Sequence, residues 1–206
     1  MNEQRDFWAG NFAKKYRETN ASFDHDMQVN AWKCMLRNTS NVGSILECGC
    51  NIGRNLEVLR KLYPKAELSL IELAKETYEI AVQEIKPRGS FNGLIVDSSF
   101  TPNSFDLVFT SGVLIHVSPV DLYKNMEKMF NYSKRYILIN EYFARQLEEV
   151  LYHGQRNKLY KMDFGRFFLR NFNVDLVDYG FLWGEQYDKA GFDDTTWWLF
   201  EKKSSH

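Results

Sequence analysis

Proline, cysteine and histidine are scarce in this chain, and each scarcity closes off a class of protein. Four prolines in 206 residues leave no proline-rich linker or extended recognition segment. Three cysteines, Cys34, Cys48 and Cys50, are an odd number and give no disulfide framework. Free thiols suit a reducing, cytoplasmic compartment. The four histidines are scattered without ligand spacing, so no metal site is read. Neither sign of charge is in excess. Lys and Arg number 26 against 27 Asp and Glu, and the net charge of −1 offers no general attraction to nucleic acid. No apolar run approaches the roughly 20 residues that a membrane helix needs. The polar residues 1–6 do not read as a signal segment. Internal repeats, low-complexity tracts and linkers are also missing, so the chain reads as one domain.

What the chain does have is an aromatic load, 16 Phe, 11 Tyr and 5 Trp, enough to furnish a core and ligand walls alike. It also has one organising stretch, residues 44–59, SILECGCNIGRNLEVL. Ile45-Leu46 ends an apolar run of the buried-strand kind. Glu47-Cys48-Gly49-Cys50-Asn51-Ile52-Gly53 is a turn, and Leu56, Leu59 and Leu62 then recur at helical spacing up to Pro64. Strand, glycine turn and helix present free backbone N–H groups to a ligand. A dinucleotide fits poorly. Its G-x-G-x-x-G fingerprint, registered on Gly49, needs glycine at 51 and 54, where the chain has Asn51 and Arg54. No G-K-[ST] follows, which excludes a P-loop. Glu47, just before the turn, repels an anionic ligand and suits an ammonium group. S-adenosylmethionine carries an ammonium and a sulfonium and no phosphate. An acid that accepts from ribose hydroxyls is expected about 20 residues on. Glu72, beside Leu73 at the end of the strand Leu68-Ser69-Leu70-Ile71, lies 19 residues after Gly53 (72 − 53). Asn51, among the few non-glycine residues tolerated there, is expected in a left-handed or turn conformation.

The segments ILECGCNIG, LSLIELA, IVDSS and FDLVFTSGVLIHV resemble the successive motifs of class I S-adenosylmethionine-dependent methyltransferases, in the usual order over residues 44–118. That family's loop is usually E/D-x-G-x-G-x-G, so Asn51 departs at the middle glycine. A narrower resemblance covers nearly the whole chain. FWAGNFAKKY, VLIHVSP, YILINEYF, LYHGQ, KMDF and VDYG…TTWWLFEKK together resemble the pseudaminic acid biosynthesis-associated methylases. At Tyr152-His153-Gly154-Gln155 that family reads closer to Tyr-Arg-Gly-His.

The resemblance implies a three-layer α/β, Rossmann-like sheet of seven strands, the last antiparallel. It implies S-adenosylmethionine as cofactor and S-adenosylhomocysteine as product, with Glu47, Gly49, Cys50, Asn51, Gly53, Glu72 and Leu73 at the cofactor. Strand three is expected at residues 93–96. It ends at Asp97-Ser98, where Asp97 either accepts from an adenine amino group or caps a turn. Strand four, residues 105–109, delivers Ser111 and Gly112 beside the glycine turn. His116, just beyond, falls near the methionine end and is either a base for the acceptor or a structural histidine bonded to a loop carbonyl.

In residues 7–20 an aromatic face is either a helix on the sheet edge or part of a lid of about residues 1–43, with Tyr16 or Arg17 reaching the cofactor carboxylate. Residues 27–37 form a helix with Trp32, Met35 and Leu36 inward, and residues 74–85 another. Ser118-Pro119-Val120-Asp121 has capping-box spacing before a helix carrying Leu122, Met126, Met129 and Phe130. Strand five, residues 136–139, ends in Asn140-Glu141-Tyr142. Residues 145–172 read as a cap insertion, or as a solvated helical pair. Glu141, as orienting group or base, and Tyr142, His153, Arg156 and Lys161 are candidates for the acceptor pocket. The last strands fall at residues 174–179 and 195–201.

The reading is in-line methyl transfer to oxygen or nitrogen of a small acceptor. The narrower resemblance implies a sugar or sugar-nucleotide acceptor of the nonulosonic kind, tied to surface glycosylation. Another small metabolite as acceptor, and cofactor binding without catalysis, are the rival readings. Acceptor screening separates the first two, and binding without transfer marks the third.

Overall fold

The computed structural model describes residues 24–152 and 154–203. The expectations for residues 7–20, with Tyr16 and Arg17, and for His153 fall outside the described residues. Helix α1, His25–Leu36, comes first. Asp24 caps it, its Oδ1 accepting from Met27 N at 3.0 Å. Trp32, Met35 and Leu36 are buried as the spacing predicts, and Trp32 meets Phe109 edge-on at 4.9 Å between ring centroids. The stretch 25–36 is therefore part of the core.

Parallel β/α units follow. Strand β1 is Ser44–Cys48, α2 Arg54–Leu62, β2 Glu67–Glu72, α3 Lys75–Ile85, β3 Gly89–Asn92, β4 Phe105–Ser111, α4 Leu122–Tyr132 and β5 Ser133–Glu141. A hairpin of β6, Glu148–Tyr152, and β7, Gln155–Lys161, comes next. Helix α5, Phe164–Asn171, strand β8, Val174–Leu182, the single turn α6, Gly184–Tyr187, and strand β9, Thr195–Lys202, complete the described chain. Seven strands form one sheet in the order β3-β2-β1-β4-β5-β9-β8. The last strand, β9, runs antiparallel to both β5 and β8. This is the expected seven-stranded α/β sheet.

Its three layers follow from alternation along the central strands. Ile45, Leu107, Leu138 and Trp197 face the core shared with α1, α2 and α3. Their neighbours Leu46, Val108, Ile137 and Trp198 face the core shared with α4 and α5. Strands covered on both faces read as near-continuous apolar runs, which is why β1 and β4 stand out in the sequence. Among the described residues no helix is long and apolar enough to cross a membrane.

Several boundaries differ from expectation. Strand three is GSFN at Gly89–Asn92, pairing Ser69 with Gly89 and Glu72 with Asn92. The apolar residues 93–96 lead instead into a 3₁₀ turn, Ile95–Asp97, that buries Ile95. As the sheet edge, β3 pairs on one side only and needs little apolar character. The capping box before α4 does not form. Asp121 N bonds Ser118 O at 2.9 Å, making a separate turn, and α4 starts at Leu122. Of residues 145–172, the first part is a β-hairpin and not a helical pair. The rest is α5, whose Phe164 and Phe168 lie in the core.

Candidate functional site

The strand order reverses at β1 and β4, and ligands of open α/β sheets bind beyond the carboxyl ends at such a point. A cavity of about 280 Å³ opens there. Its wall includes Gly49, Asn51, Glu72, Leu73, residues 93–96, Ser111, Gly112, His116 and Asn125.

The turn after β1 is built from three left-handed residues, Gly49 at φ 83°, Asn51 at 51° and Gly53 at 87°. A Cβ on Gly49 would lie 2.6 Å from Val113 Cγ2, and one on Gly53 2.6 Å from Ile85 Cγ1, so both positions exclude side chains. Asn51 adopts the conformation its residue type tolerates. Glu72 locks it there, Oε2 accepting from Asn51 N and Oε1 from Ala74 N, each at 2.8 Å. Burial pushes the Glu72 carboxyl up, opposed by those backbone N–H bonds. Leu73 N and the Thr77 hydroxyl also bond this carboxylate, which is acceptor-only and of a kind that suits ligand hydroxyls. Gly53 supplies the N-terminus of α2. Cys50, expected at the cofactor, is buried within the turn, and its thiol donates to Asn51 O at 3.3 Å.

Glu47 is buried behind this turn. Its Oε1 accepts from Asn55 Nδ2 at 2.7 Å, while Oε2 has no hydrogen-bond partner among the described residues. Burial pushes its pKa up to about 8, Asn55 opposes the shift and Glu72 reinforces it. An acid held this way favours a cation close by, and a ligand ammonium supplies one. The fit to the group inferred from sequence therefore rests on an orphaned buried oxygen.

Ser111 and Gly112 line the cavity as expected, held by Asn140, whose Nδ2 donates to Ser111 Oγ at 3.0 Å. Asp97 does not join the described wall. It is exposed, because the chain leaves β3 five residues earlier and the 3₁₀ turn presents residues 93–96 instead. Ser98 is buried beneath that turn, bonded to Ile95 O at 2.6 Å and to Tyr132 Oη at 2.9 Å, so it anchors α4.

Glu141 corrects the expectation of an acid facing the acceptor. It is fully buried and turned inward. Oε1 accepts from Val113 N at 3.1 Å and Leu114 N at 3.0 Å, and Oε2 from Ile115 N at 3.3 Å. The carboxylate gathers the backbone of the turn that carries His116. Burial pushes its pKa up to about 7, and the three backbone bonds oppose that rise. His116 lies 2.8 Å through Nδ1 from Lys158 O. A carbonyl only accepts, so Nδ1 carries the proton and Nε2 the lone pair. Burial drives its pKa down to about 4 against that bond, and the ring is neutral at pH 7. It also meets Tyr152 edge-on at 5.3 Å. The hairpin is thus docked on the His116 turn.

Of the acceptor candidates, Tyr142 and Lys161 come together, with Lys161 Nζ 5.2 Å from the Tyr142 ring centroid. Tyr142 Oη donates to Asp193 Oδ2. Arg156 is exposed on β7. The cavity also uses residues that the motifs did not reveal, among them Thr77, Ser118, Asp121 and Asn125. For Asn125 a signal existed: it interrupts the apolar face Leu122, Met126, Met129 of α4 and is nevertheless buried.

Residues 45–135 match the family model described as a methyltransferase domain. No curated protein matches the chain. Among solved structures, a methyltransferase dependent on S-adenosylmethionine from Leishmania major is 17% identical, with a TM-score of 0.71 over 97% of this chain and 87% of its own. The 1,6-didemethyltoxoflavin-N1-methyltransferase of Burkholderia thailandensis, with S-adenosylhomocysteine bound, is 14% identical at a TM-score of 0.69, covering 88% and 80%. Magnesium protoporphyrin IX methyltransferase of Synechocystis PCC 6803, also with S-adenosylhomocysteine, is 13% identical at 0.69, covering 97% and 98%. At such identities the likeness is one of fold.

Proposed function

We propose that the chain is an S-adenosylmethionine-dependent methyltransferase acting at oxygen or nitrogen of a small, acidic, sugar-related acceptor of the nonulosonic acid kind. S-adenosylmethionine is the cofactor and S-adenosylhomocysteine the product. The observation that carries the reading is the turn at the switch point, with Asn51 held left-handed by Glu72 and an orphaned Glu47 oxygen behind it. The cofactor, when bound, supplies a methyl group already activated on a sulfonium.

The chain's own residues then bind, align and exclude water. Glu72 would accept from ribose hydroxyls while it holds the backbone N–H groups of Asn51 and Ala74. Glu47, protonated below about pH 8 in the free protein, would ionise beside the ammonium, and Gly112, with open space where a Cβ would stand, keeps the wall open to close approach. His116, with a pKa near 4, holds a proton weakly. A neutral ring of this kind suits orientation of an acceptor hydroxyl better than full proton removal. Alignment is the larger contribution for an activated methyl. Glu141 acts through this turn and is a positioning residue.

Two observations support a small acidic acceptor. Lys161 over Tyr142 places a cation and an aromatic face beside the end of β5. The neighbours from Burkholderia and Synechocystis are named for 1,6-didemethyltoxoflavin and magnesium protoporphyrin IX, which supports a small molecule as acceptor. The sugar-acid class rests on the resemblance of the N-terminal, hairpin and late segments.

Calorimetry against S-adenosylhomocysteine and NAD tests the cofactor, and transfer of labelled methyl to a panel of acidic sugars, sugar nucleotides and unrelated metabolites tests the acceptor. Binding of S-adenosylhomocysteine alone and labelling of an acidic sugar are expected. Preference for NAD would overturn the whole reading. Labelling confined to non-sugar metabolites would overturn the acceptor class only.

A further inference from the structure

Asn125 lines the cavity from α4 and is buried. Across the carboxyl edge of the sheet the order β3-β2-β1-β4 places residues 93–96 on one side of Glu72, and Gly49 and Gly112 on the other. If Glu47, on β1, draws the ammonium, the amino-acid end of the cofactor lies toward β1 and β4. The purine then lies toward residues 93–96. That end of the cavity is walled by Leu73, Leu94, Ile95 and Val96, all apolar. Two buried polar side chains also line the cavity: Thr77, whose hydroxyl donates to Ala74 O at 2.8 Å, and Asn125, 6% exposed, which reaches it from α4. Helix α4 is pinned beneath the same turn, with Tyr132 Oη 2.6 Å and Lys128 Nζ 2.7 Å from Ser98 O.

The orientation of the Asn125 amide is chemically fixed. Asn125 Nδ2 lies 2.9 Å from Asp121 O, and a carbonyl accepts only, so nitrogen must occupy that position. Oδ1 is left as the side chain's acceptor, and Nδ2 retains one further N–H. An acceptor and a donor side by side match the exocyclic amine and adjacent ring nitrogen of adenine. Hypoxanthine reverses the first of these, carrying a carbonyl in place of the amine.

We propose that Asn125, and not Asp97, reads the six-amino group of the cofactor's purine, so that this protein discriminates adenine from hypoxanthine through helix α4. The inference rests on the cofactor assignment above. A site built to bond a donor rejects the analogue lacking it more strongly than an apolar pocket rejects a misfit.

The test compares S-adenosylhomocysteine with S-inosylhomocysteine by calorimetry in the unaltered protein, Asn125→Ala and Asp97→Ala, with circular dichroism to confirm folding. The unaltered protein should prefer the adenine compound by about tenfold or more. Asn125→Ala should reduce the preference to within about threefold, and Asp97→Ala should retain it. Equal binding of both compounds by the unaltered protein overturns the proposal without recourse to any variant. Loss of preference in Asp97→Ala, with preference kept in Asn125→Ala, overturns it too. Failure of both compounds to bind the unaltered protein would overturn the cofactor assignment itself.

Discussion

At the scale of single residues, the carboxylates at the ends of β1, β2 and β5 do three different jobs. Glu72 faces both the turn and the cavity, Glu47 waits behind the turn, and Glu141 holds a backbone. All three are pushed up by burial, Glu47 to about 8 and Glu141 to about 7. An acid whose folded pKa exceeds its unfolded one binds more protons in the folded state between those values, so stability falls as pH rises through that window. His116, lowered to about 4, acts oppositely, adding stability only as pH rises from about 4 toward its unfolded value near 6.5. Between pH 6.5 and 8 the carboxylates act without that opposition. Urea unfolding without added cofactor should therefore show stability falling by about 2 kcal/mol from pH 6.5 to 8. Glu47→Gln should remove most of the fall. A flat profile in the unaltered protein would mean that these acids are ionised throughout. The sequence exposed all three as strand-terminal acids. It could not distinguish their jobs, because a one-residue change of facing turns a strand-end side chain from cavity to core.

At the scale of elements, the turn from β1 to α2 was legible almost residue by residue, since φ above zero leaves a mark in residue choice: Gly49, Asn51, Gly53. The same reasoning makes the two kinds of left-handed position separable by mutation. Gly53→Ala meets both a strained φ of 87° and Ile85 Cγ1 at 2.6 Å, in a core where Ile85 is buried. It should cost about 2–4 kcal/mol in chemical denaturation. Asn51→Gly keeps the N–H that Glu72 accepts and relaxes the backbone, so it should stay within about 1 kcal/mol. Equal losses at the two positions would contradict this account. Elsewhere element boundaries were hidden for physical reasons. Strand β3 needs no apolar run at a sheet edge, so Leu94-Ile95-Val96 drew attention to the wrong four residues. Ser118 and Asp121 have the spacing of a capping box, yet they close a turn one residue short of α4. The hairpin β6–β7 exposes most of β6 and buries three successive residues of β7, Lys158, Leu159 and Tyr160, so no alternation marks it in the sequence.

At the scale of the whole molecule, that hairpin joins the His116 turn to Tyr142 at the end of β5. Lys158 O holds His116, Tyr152 covers its ring, and Lys161 lies over Tyr142. Glu141 meanwhile fixes the same turn from the core. The His116 turn is therefore clamped between the seven-stranded sheet and a separate hairpin, since among the described residues β6 and β7 pair with each other and not with that sheet. Replacing residues 148–161 by a short Gly-Ser connection should leave the sheet folded. The affinity for S-adenosylhomocysteine should stay within about threefold, because Glu47, Glu72 and the glycine turn are untouched. The ring of His116 should lose both its cover and its carbonyl partner. With desolvation the larger cause of its low pKa, exposure should carry that pKa upward from about 4 toward the ordinary value near 6.5. Proton NMR titration of the imidazole reads this directly. Methyl transfer to an identified acceptor should fall at least tenfold, about 1.4 kcal/mol or more in the barrier, as alignment is lost. An excised protein that binds cofactor, titrates His116 near 6.5 and still transfers at the full rate would separate the hairpin from the chemistry. The acceptor would then have to be held by residues outside the hairpin.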